Sequence, residues 1–202
     1  MEATVSFRDF EERDIDFIYR CKNDEKLNSM IVGEWHPFTY EETVKWVHGC
    51  MGEHDTYKFW AVCTNDEEQR IVGWVSVSQI NKQESSACFH GIVLADPDYQ
   101  NGLAWIESYL FIYDYLFITL DIDCVYGSAL VDHLTSQTMR RIMYGKTVEV
   151  RRKAILINGV YHDVSKGELH RTDYIEHKSK GDYEIRAILK RLKKAKSEAK
   201  NA

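Results

Sequence analysis

Proline is almost missing from this chain: 2 in 202 residues, beside 11 glycines. That scarcity excludes a Pro/Gly-rich disordered protein and argues against two domains joined by a breaker-rich linker. The five cysteines (Cys21, Cys50, Cys63, Cys88, Cys124) are odd in number and show no CxxC spacing. They read as reduced thiols, with neither a disulfide frame nor a zinc site expected. No run is long and apolar enough to span a bilayer. The nearest, Trp105 to Leu120, carries Glu107, Ser108, Asp114 and Thr119, which suits a buried helix instead. Residues 1–5 offer neither a basic nor an apolar leader segment, so a cytoplasmic location is expected. There is no internal repeat.

An excess of positive charge is also lacking, with 26 Lys/Arg against 32 Asp/Glu and a net charge of -6. The charge is uneven. Residues 179–202 hold eight Lys/Arg and three Asp/Glu, so this tail is +5 and the remainder -11. An acidic body disfavours nucleic acid and tolerates a cationic partner such as an amine. What is present is apolar material, 44% of residues, enough for one globular domain over residues 1–178 with a basic helix over 179–202.

Periodicity orders the elements. Thr4 to Arg8 alternates as an edge strand, and Asp9 to Asn23 has helical spacing. Thr39 and Glu42 form a capping box ahead of a second helix. Lys58 to Thr64, Arg70 to Ile80 and Ala87 to Leu94 read as a three-strand antiparallel meander. A helix over Leu103 to Leu120, a strand over Asp123 to Leu130, a helix over Leu134 to Tyr144 and a hairpin turning at Asn158-Gly159 follow. The strand–helix–strand order makes a parallel crossover. The class is α/β (α+β): a mixed, largely antiparallel sheet flanked by helices. Ile185, Ile188, Leu189, Leu192 and Ala195 form the apolar stripe of an appended amphipathic C-terminal helix. It docks on the acidic body, pairs with a second subunit as a homodimer, or contacts nucleic acid or membrane; its short stripe without Trp or Phe favours docking within or between protomers.

One junction carries chemistry. The strand ending at Leu94 runs through Ala95-Asp96-Pro97-Asp98-Tyr99-Gln100-Asn101-Gly102-Leu103-Ala104 into a helix. Small residues at a helix start leave backbone N–H groups accessible at its positive end, a cradle for phosphate. A plain helix-capping turn is the simpler reading.

This order resembles the GNAT (Gcn5-related) N-acetyltransferase superfamily, and most closely its branch of ribosomal-protein alanine, spermidine and amino-sugar acetyltransferases. Phe7-Arg8-Asp9-Phe10-Glu11-Glu12-Arg13-Asp14, Tyr19-Arg20-Cys21-Lys22-Asn23-Asp24, the Pro97–Ala104 turn, and Ile157-Asn158-Gly159-Val160-Tyr161-His162-Asp163-Val164 carry the likeness across residues 4–176. The resemblance implies acetyl-CoA as co-substrate, inserted where the fourth and fifth strands part. Its pyrophosphate would meet Gln100, Asn101, Gly102, Leu103 and Ala104, and its pantetheine arm would pair along Val93 and Leu94. The implied activity is acetyl transfer to a primary amine of a small metabolite (polyamine or amino sugar), then of a protein N-terminus. A non-catalytic CoA-binding or interaction module and an enzyme using a longer acyl donor are the rivals.

The chain departs from the family pattern at several places. The loop is one residue short, so either Gln100 or Tyr99 takes the usual Gln/Arg place. The usual Glu falls on Cys88, the usual helix Tyr on Arg140, and the usual Asn before that helix on His133. His90, two residues beyond Cys88, is the candidate base, since imidazole titrates near neutrality. Tyr144 is the candidate acid for the departing thiolate. His133 and Arg140 are candidate cofactor contacts, Arg140 also reading as part of a solvated face. Asn23, Glu34 and Trp35 would wall the amine pocket, with a surface loop anchored by Trp35 as the plainer reading. No metal ligand set is expected.

Overall fold

Strand β2 (Lys58–Thr64) has no polar face: Trp60 and Val62 enter one buried cluster, Ala61 and Cys63 another. Such a strand has to be covered on both sides. The computed structural model describes residues 3–29, 32, 35–100 and 102–200, the side chains of His90, Ala199 and Lys200 excepted. It meets that demand with helices on both faces of one sheet. Helices α1 (Ile15–Lys22) and α3 (Tyr40–Cys50) bury Ile15, Ile18, Val47 and Cys50 on one face. A single turn, α2 (Glu25–Asn28), lies between them in sequence. Helices α4 (Leu103–Asp114), α5 (Leu134–Ile142) and α7 (Ile185–Lys200) bury Ile106, Ile112, Met139, Ile142 and Ile188 on the other.

The remaining strands are β1 (Val5–Arg8), β3 (Ile71–Asn81), β4 (Ser86–Leu94), β5 (Cys124–Leu130), β6 (Lys146–Ile157) and β7 (Val160–His170). The seven stand in the order β1-β2-β3-β4-β5-β7-β6. Among the described residues only β4 and β5 pair in parallel; every other neighbouring pair is antiparallel. The predicted mixed, largely antiparallel α/β sheet is the one observed. At the β6–β7 turn Asn158 and Gly159 both take positive φ, +48° and +78°, as a two-residue hairpin with the right twist requires.

Two sequence motifs have local explanations. Arg8 grips the fully buried Asp14 with two hydrogen bonds of 2.7 and 2.8 Å, while the Glu11 N–H donates to the same carboxylate at 2.8 Å. The fork pins β1 to the start of α1, and its bond to Asp14 holds the Arg8 pKa above the ordinary value. Thr39 and Glu42 complete the predicted capping box of α3. Thr39→Ala is expected to lower stability by about 1 kcal/mol, read as an earlier midpoint in urea; an unchanged midpoint would show that the cap contributes nothing.

Elsewhere the structure differs from the sequence pattern. The predicted helix over 103–120 is α-helical only to Asp114, and Tyr115–Thr119 continues as a π-helical turn closed by Leu120 N–H on the Tyr115 carbonyl. Helix α6 (Arg171–Ser179) has no apolar stripe, and Tyr174 is its one buried residue, so periodicity gave no sign of it. Of the readings open for the basic tail, docking within the chain is realised. Tyr183, Ile188 and Ala195 are buried in the body's own core, and Arg191 donates to the Ile142 carbonyl at 2.9 Å.

Candidate active site

Strands β4 and β5 run side by side only briefly. Their register covers Ser86–Cys88 against Cys124–Tyr126 and stops. Beyond it β4 continues along β3 as far as Leu94, and β5 along β7 as far as Leu130. Two parallel strands that part leave backbone donors and acceptors facing a gap, a place for an extended ligand to pair. The cause lies in β4. Its register against β3 passes from Phe89 to Gly91 and skips His90, and a bulge of this kind bends and twists the strand that carries it. Gly91 follows at φ +155°, with no heavy atom of the described residues beyond its chain neighbours within 4 Å of where a Cβ would sit. At the mouth of the gap a Cβ on Gly127 would lie 3.1 Å from the Phe89 carbonyl oxygen.

Past the gap, β4 turns into α4. Asp96 caps the turn by accepting from the Asp98 N–H and binds Arg70 at 2.8 Å. Gln100 closes it, donating its side-chain amide to the Leu94 carbonyl at 2.9 Å and its N–H to Pro97. Gly102 stands at the head of α4 with φ +104°, and the first helical bond runs from Ile106 N–H to the Gly102 carbonyl. The amides of Ala104 and Trp105, between them, have no carbonyl of their own helix to donate to. Among the described residues, a Cβ on Gly102 would meet only Leu192 of α7, at 3.8 Å. These small residues and first-turn amides fit a pyrophosphate, and the parted strands fit a pantetheine arm. Leu94 has its side chain in the core. The Val93 carbonyl and the Ala95 N–H both face β3, so alternation turns the backbone of Ile92 and Leu94 toward the gap. Asn101 lies outside the described residues.

On the α5 side of the gap stands Arg140. Its Nη1 donates to Ser165 Oγ at 2.9 Å and its Nη2 reaches the Gly127 carbonyl at 3.4 Å. Glycine at 167 makes room: a Cβ there would lie 2.2 Å from Arg140 Nε. Gln137, which donates to Ser165 Oγ at 2.8 Å, sets the hydroxyl that receives the guanidinium. Among the described residues no carboxylate pairs with Arg140. Desolvation lowers its pKa, while Tyr109 and Tyr113 oppose the shift. A guanidinium stays charged at neutral pH all the same. Tyr109, packed edge-on to Phe89 at 5.0 Å, is pushed up to about 12 by burial and is a neutral phenol within electrostatic reach of Arg140.

The other candidates fall in three places. His133 caps α5 through Nδ1, accepting from the Ser136 N–H. Tyr144 sits beyond the C-terminal end of α5 at φ +64°, stacked on His177 at 3.6 Å with Arg191 over its ring. Those contacts hold it on the α6–α7 side, and the structure does not bring it to Arg140. Asn23 and Trp35 do come together at the end of α1. Asn23 bonds both the N–H and the carbonyl of Phe38, and Trp35 donates to the Lys22 carbonyl at 2.8 Å. Glu34 and the His90 side chain lie outside the described residues.

On the opposite face from Arg140, sequence reasoning missed Tyr126. It donates to Gln79 at 2.6 Å and borders an open groove of about 520 Å³ that also takes in Asp55, Glu84 and Lys82. Its signal was the alternation of β5, which separates Tyr126 from Val125 and Gly127.

A profile of the acetyltransferase (GNAT) domain matches residues 4–142. No curated protein matches the chain. Among solved structures, a spermidine N-acetyltransferase from Vibrio cholerae in complex with CoA and spermine superposes with a TM-score of 0.75 at 20% identity, over 85% of this chain and 98% of that one. A mutant form of the Vibrio cholerae spermidine N-acetyltransferase gives 0.70 at 21%, over 86% and 99%. A putative acetyltransferase gives 0.70 at 16%, over 90% and 91%. At these identities the superpositions establish the fold, and the domain match establishes the family. No helix among the described residues is long and apolar enough to cross a membrane.

Proposed function

The chain belongs to the GNAT acetyltransferase family, and from that membership we propose that it acetylates a primary amine of a cationic small metabolite, a polyamine before an amino sugar and either before a protein N-terminus. It is an acetyl-CoA-dependent N-acetyltransferase; acetyl-CoA supplies the activated acyl group. The observation that carries the choice of amine is the groove beside Tyr126, where the carboxylates of Asp55 and Glu84 outnumber the ammonium of Lys82. The gap between β4 and β5 begins at that same residue. An acidic groove favours a substrate with more than one positive charge. The Vibrio cholerae structure with spermine bound supports the polyamine as first choice.

Each end of the reaction needs one group from the protein. As the C–N bond forms and the C–S bond breaks, the amine gives up a proton and the sulfur leaves with the electron pair. His90, at the bulge of β4, takes the proton. Arg140, at the place where the family pattern has its acid, meets the negative charge on sulfur; Tyr144, the sequence candidate for protonating that sulfur, has no part in this reading. Gly102, Leu103 and Ala104 at the head of α4 hold the pyrophosphate, the Ala104 amide donating to it. Asn101, His133 and Leu94 complete the cofactor side as loop, helix cap and strand, Gln100 fixing the loop; Val93, expected from the sequence to pair there too, turns its backbone to β3 instead. Asn23, Glu34 and Trp35 wall the acceptor side. The proposal includes a cytoplasmic location and a homodimer; sedimentation of the full chain measures the second.

Calorimetric titration with acetyl-CoA followed by a thiol-release screen over spermidine, spermine, glucosamine and N-terminal peptides tests the reading. Saturable binding with fastest release on a polyamine is expected. Binding without turnover on any amine would favour the non-catalytic module, and no binding at all would sink both. His90→Ala is expected to lower kcat by about 10²–10⁴-fold, the usual contribution of a general base, with acetyl-CoA affinity little changed; full turnover at saturating amine would make His90 structural.

A further inference from the structure

We propose that Cys124, Glu168 and His170 form a binding site for a borderline divalent cation, zinc(II) by preference, on the face of the sheet that carries Tyr126. The cysteine spacing gives no sign of it, because the ligands come from strands 44 and 46 residues apart in sequence and only the ladder joins them. In the uninterrupted β5–β7 register Cys124 lies opposite His170 and Tyr126 opposite Glu168. Side chains two apart on a strand share a face, so thiol, carboxylate and imidazole project together. One ligand atom of each lies within 4.8 Å of the other two, and His170 Nε2 is 3.9 Å from Glu168 Oε2.

The donor set selects the ion. Thiolate and imidazole are poor ligands for magnesium and calcium. A mixed S, N, O set of three suits zinc, with water as its fourth ligand. Zinc bonds of about 2.0–2.3 Å require the three atoms to draw together slightly, which side-chain torsions provide. The backbone beneath is already fixed. The Asp123 and Cys124 N–H groups both donate to the Ser85 carbonyl, at 2.9 and 3.0 Å, and the Arg171 N–H donates to the Asp123 carbonyl at 2.9 Å. These bonds clamp both strand ends that present the ligands. Lys166 is the competing cation, paired with Glu168 Oε1 at 2.8 Å. It uses Oε1, whereas the oxygen paired with His170 is Oε2, and it already lies over the Tyr126 ring, 4.9 Å from its centre, so Glu168 Oε2 is left for the metal. Cys124 is half-buried and His170 exposed, so an ion can enter from solvent.

Cobalt(II) is the spectroscopic probe and zinc the affinity probe, both with the full chain. One cobalt per chain is expected, with a thiolate-to-cobalt charge-transfer band that disappears in Cys124→Ser and survives in Cys88→Ser. Zinc competition against a chromophoric chelator gives the affinity. Loss of a partner that merely orients a ligand costs about 10–100-fold, so Cys124→Ser and His170→Gln are each expected to weaken zinc binding by at least that much. Circular dichroism melts of each variant confirm folding; if Cys124→Ser is unfolded, Cys124→Ala and His170→Gln carry the comparison. A cobalt spectrum without a thiolate band, a band that survives Cys124→Ser, or zinc affinity equal in the parent and the His170→Gln variant would overturn the proposal. None of these readouts depends on acetyl transfer.

Discussion

Arg140→Ala is expected to lower kcat by about 10²–10³-fold, the usual effect of removing one preorganised group that meets developing charge. The KM for acetyl-CoA should change little. The ground state of a thioester sulfur is neutral and the departing sulfur is an anion, so a fixed cation stabilises the transition state more than the bound substrate. Arg140 is suited to this because its charge is not already spent. Ser165 Oγ accepts its one short hydrogen bond, its other contacts lie at 3.4–3.5 Å, and all the acceptors are neutral oxygens. Half-burial against Tyr109 and Tyr113 keeps solvent from screening the charge. The fold should survive the substitution, since Gln137 still bonds Ser165 and the Leu130 carbonyl at 2.8 Å.

A second readout separates this role from simple packing. The thiol of bound CoA should titrate below the value of about 8.5 typical of a free thiol, because a nearby cation favours thiolate. Thiolate absorbance of the complex measures it directly. In Arg140→Ala the titration should return to the free value. Arg140→Lys keeps the charge but not the planar fork that Ser165 and Gly127 receive, so an intermediate rate is expected. An alanine variant that turns over like the parent, or bound CoA that titrates alike in both proteins, would remove Arg140 from the reaction. Tyr109 would then be the next group to test, as a neutral phenol near the same gap.

The contrast between Arg140 and Tyr144 marks where sequence reading loses its grip. Strands and helices with a repeating apolar signal were legible: β2 spans the predicted Lys58–Thr64, and Thr39 caps α3 as its spacing with Glu42 requires. The parallel β4–β5 pair followed from a strand, a helix and a strand in succession. What cannot be read along the chain is where a long side chain goes. Arg140 crosses to β7 because residue 167 is glycine, a fact 27 positions away that acts only through the ladder. Tyr144 is one helical turn beyond Arg140, yet its backbone leaves the helix with positive φ, and the i, i+4 rule no longer applies. Cys124 and His170 are likewise brought together by register alone. The polar atoms of Asn23 and Trp35 are occupied in tying the end of α1 to the segment that follows it, a use that neither residue's type signals.

Gly73→Ala is expected to be the most damaging small substitution in the sheet. The glycine lies opposite Leu94 in the β3–β4 register. A Cβ there would fall 2.0 Å from the Val93 carbonyl oxygen and 3.0 Å from the Leu94 Cα. Both are backbone atoms, so no rotamer change relieves the clash and the strands themselves have to separate. Overpacking in a core costs about 1–3 kcal/mol when side chains can shift, and this case belongs at the upper end of that range or beyond it. The damage should reach the site, because the strand forced outward is the one whose other edge faces the gap. Val72 accepts from the Ala95 N–H at 3.0 Å and from the Asp96 N–H at 3.3 Å, so the turn leading to Gly102 moves with it. Acetyl-CoA affinity should therefore fall along with thermal stability, even well below the melting temperature. Gly49→Ala is the matched control. Gly49 sits inside α3 with nothing within 4 Å of a Cβ, so alanine there should stabilise by about 0.5–1 kcal/mol and leave acetyl-CoA binding alone. If Gly73→Ala melts with the parent and binds acetyl-CoA equally well, the close approach of β3 to β4 does not set the shape of the gap.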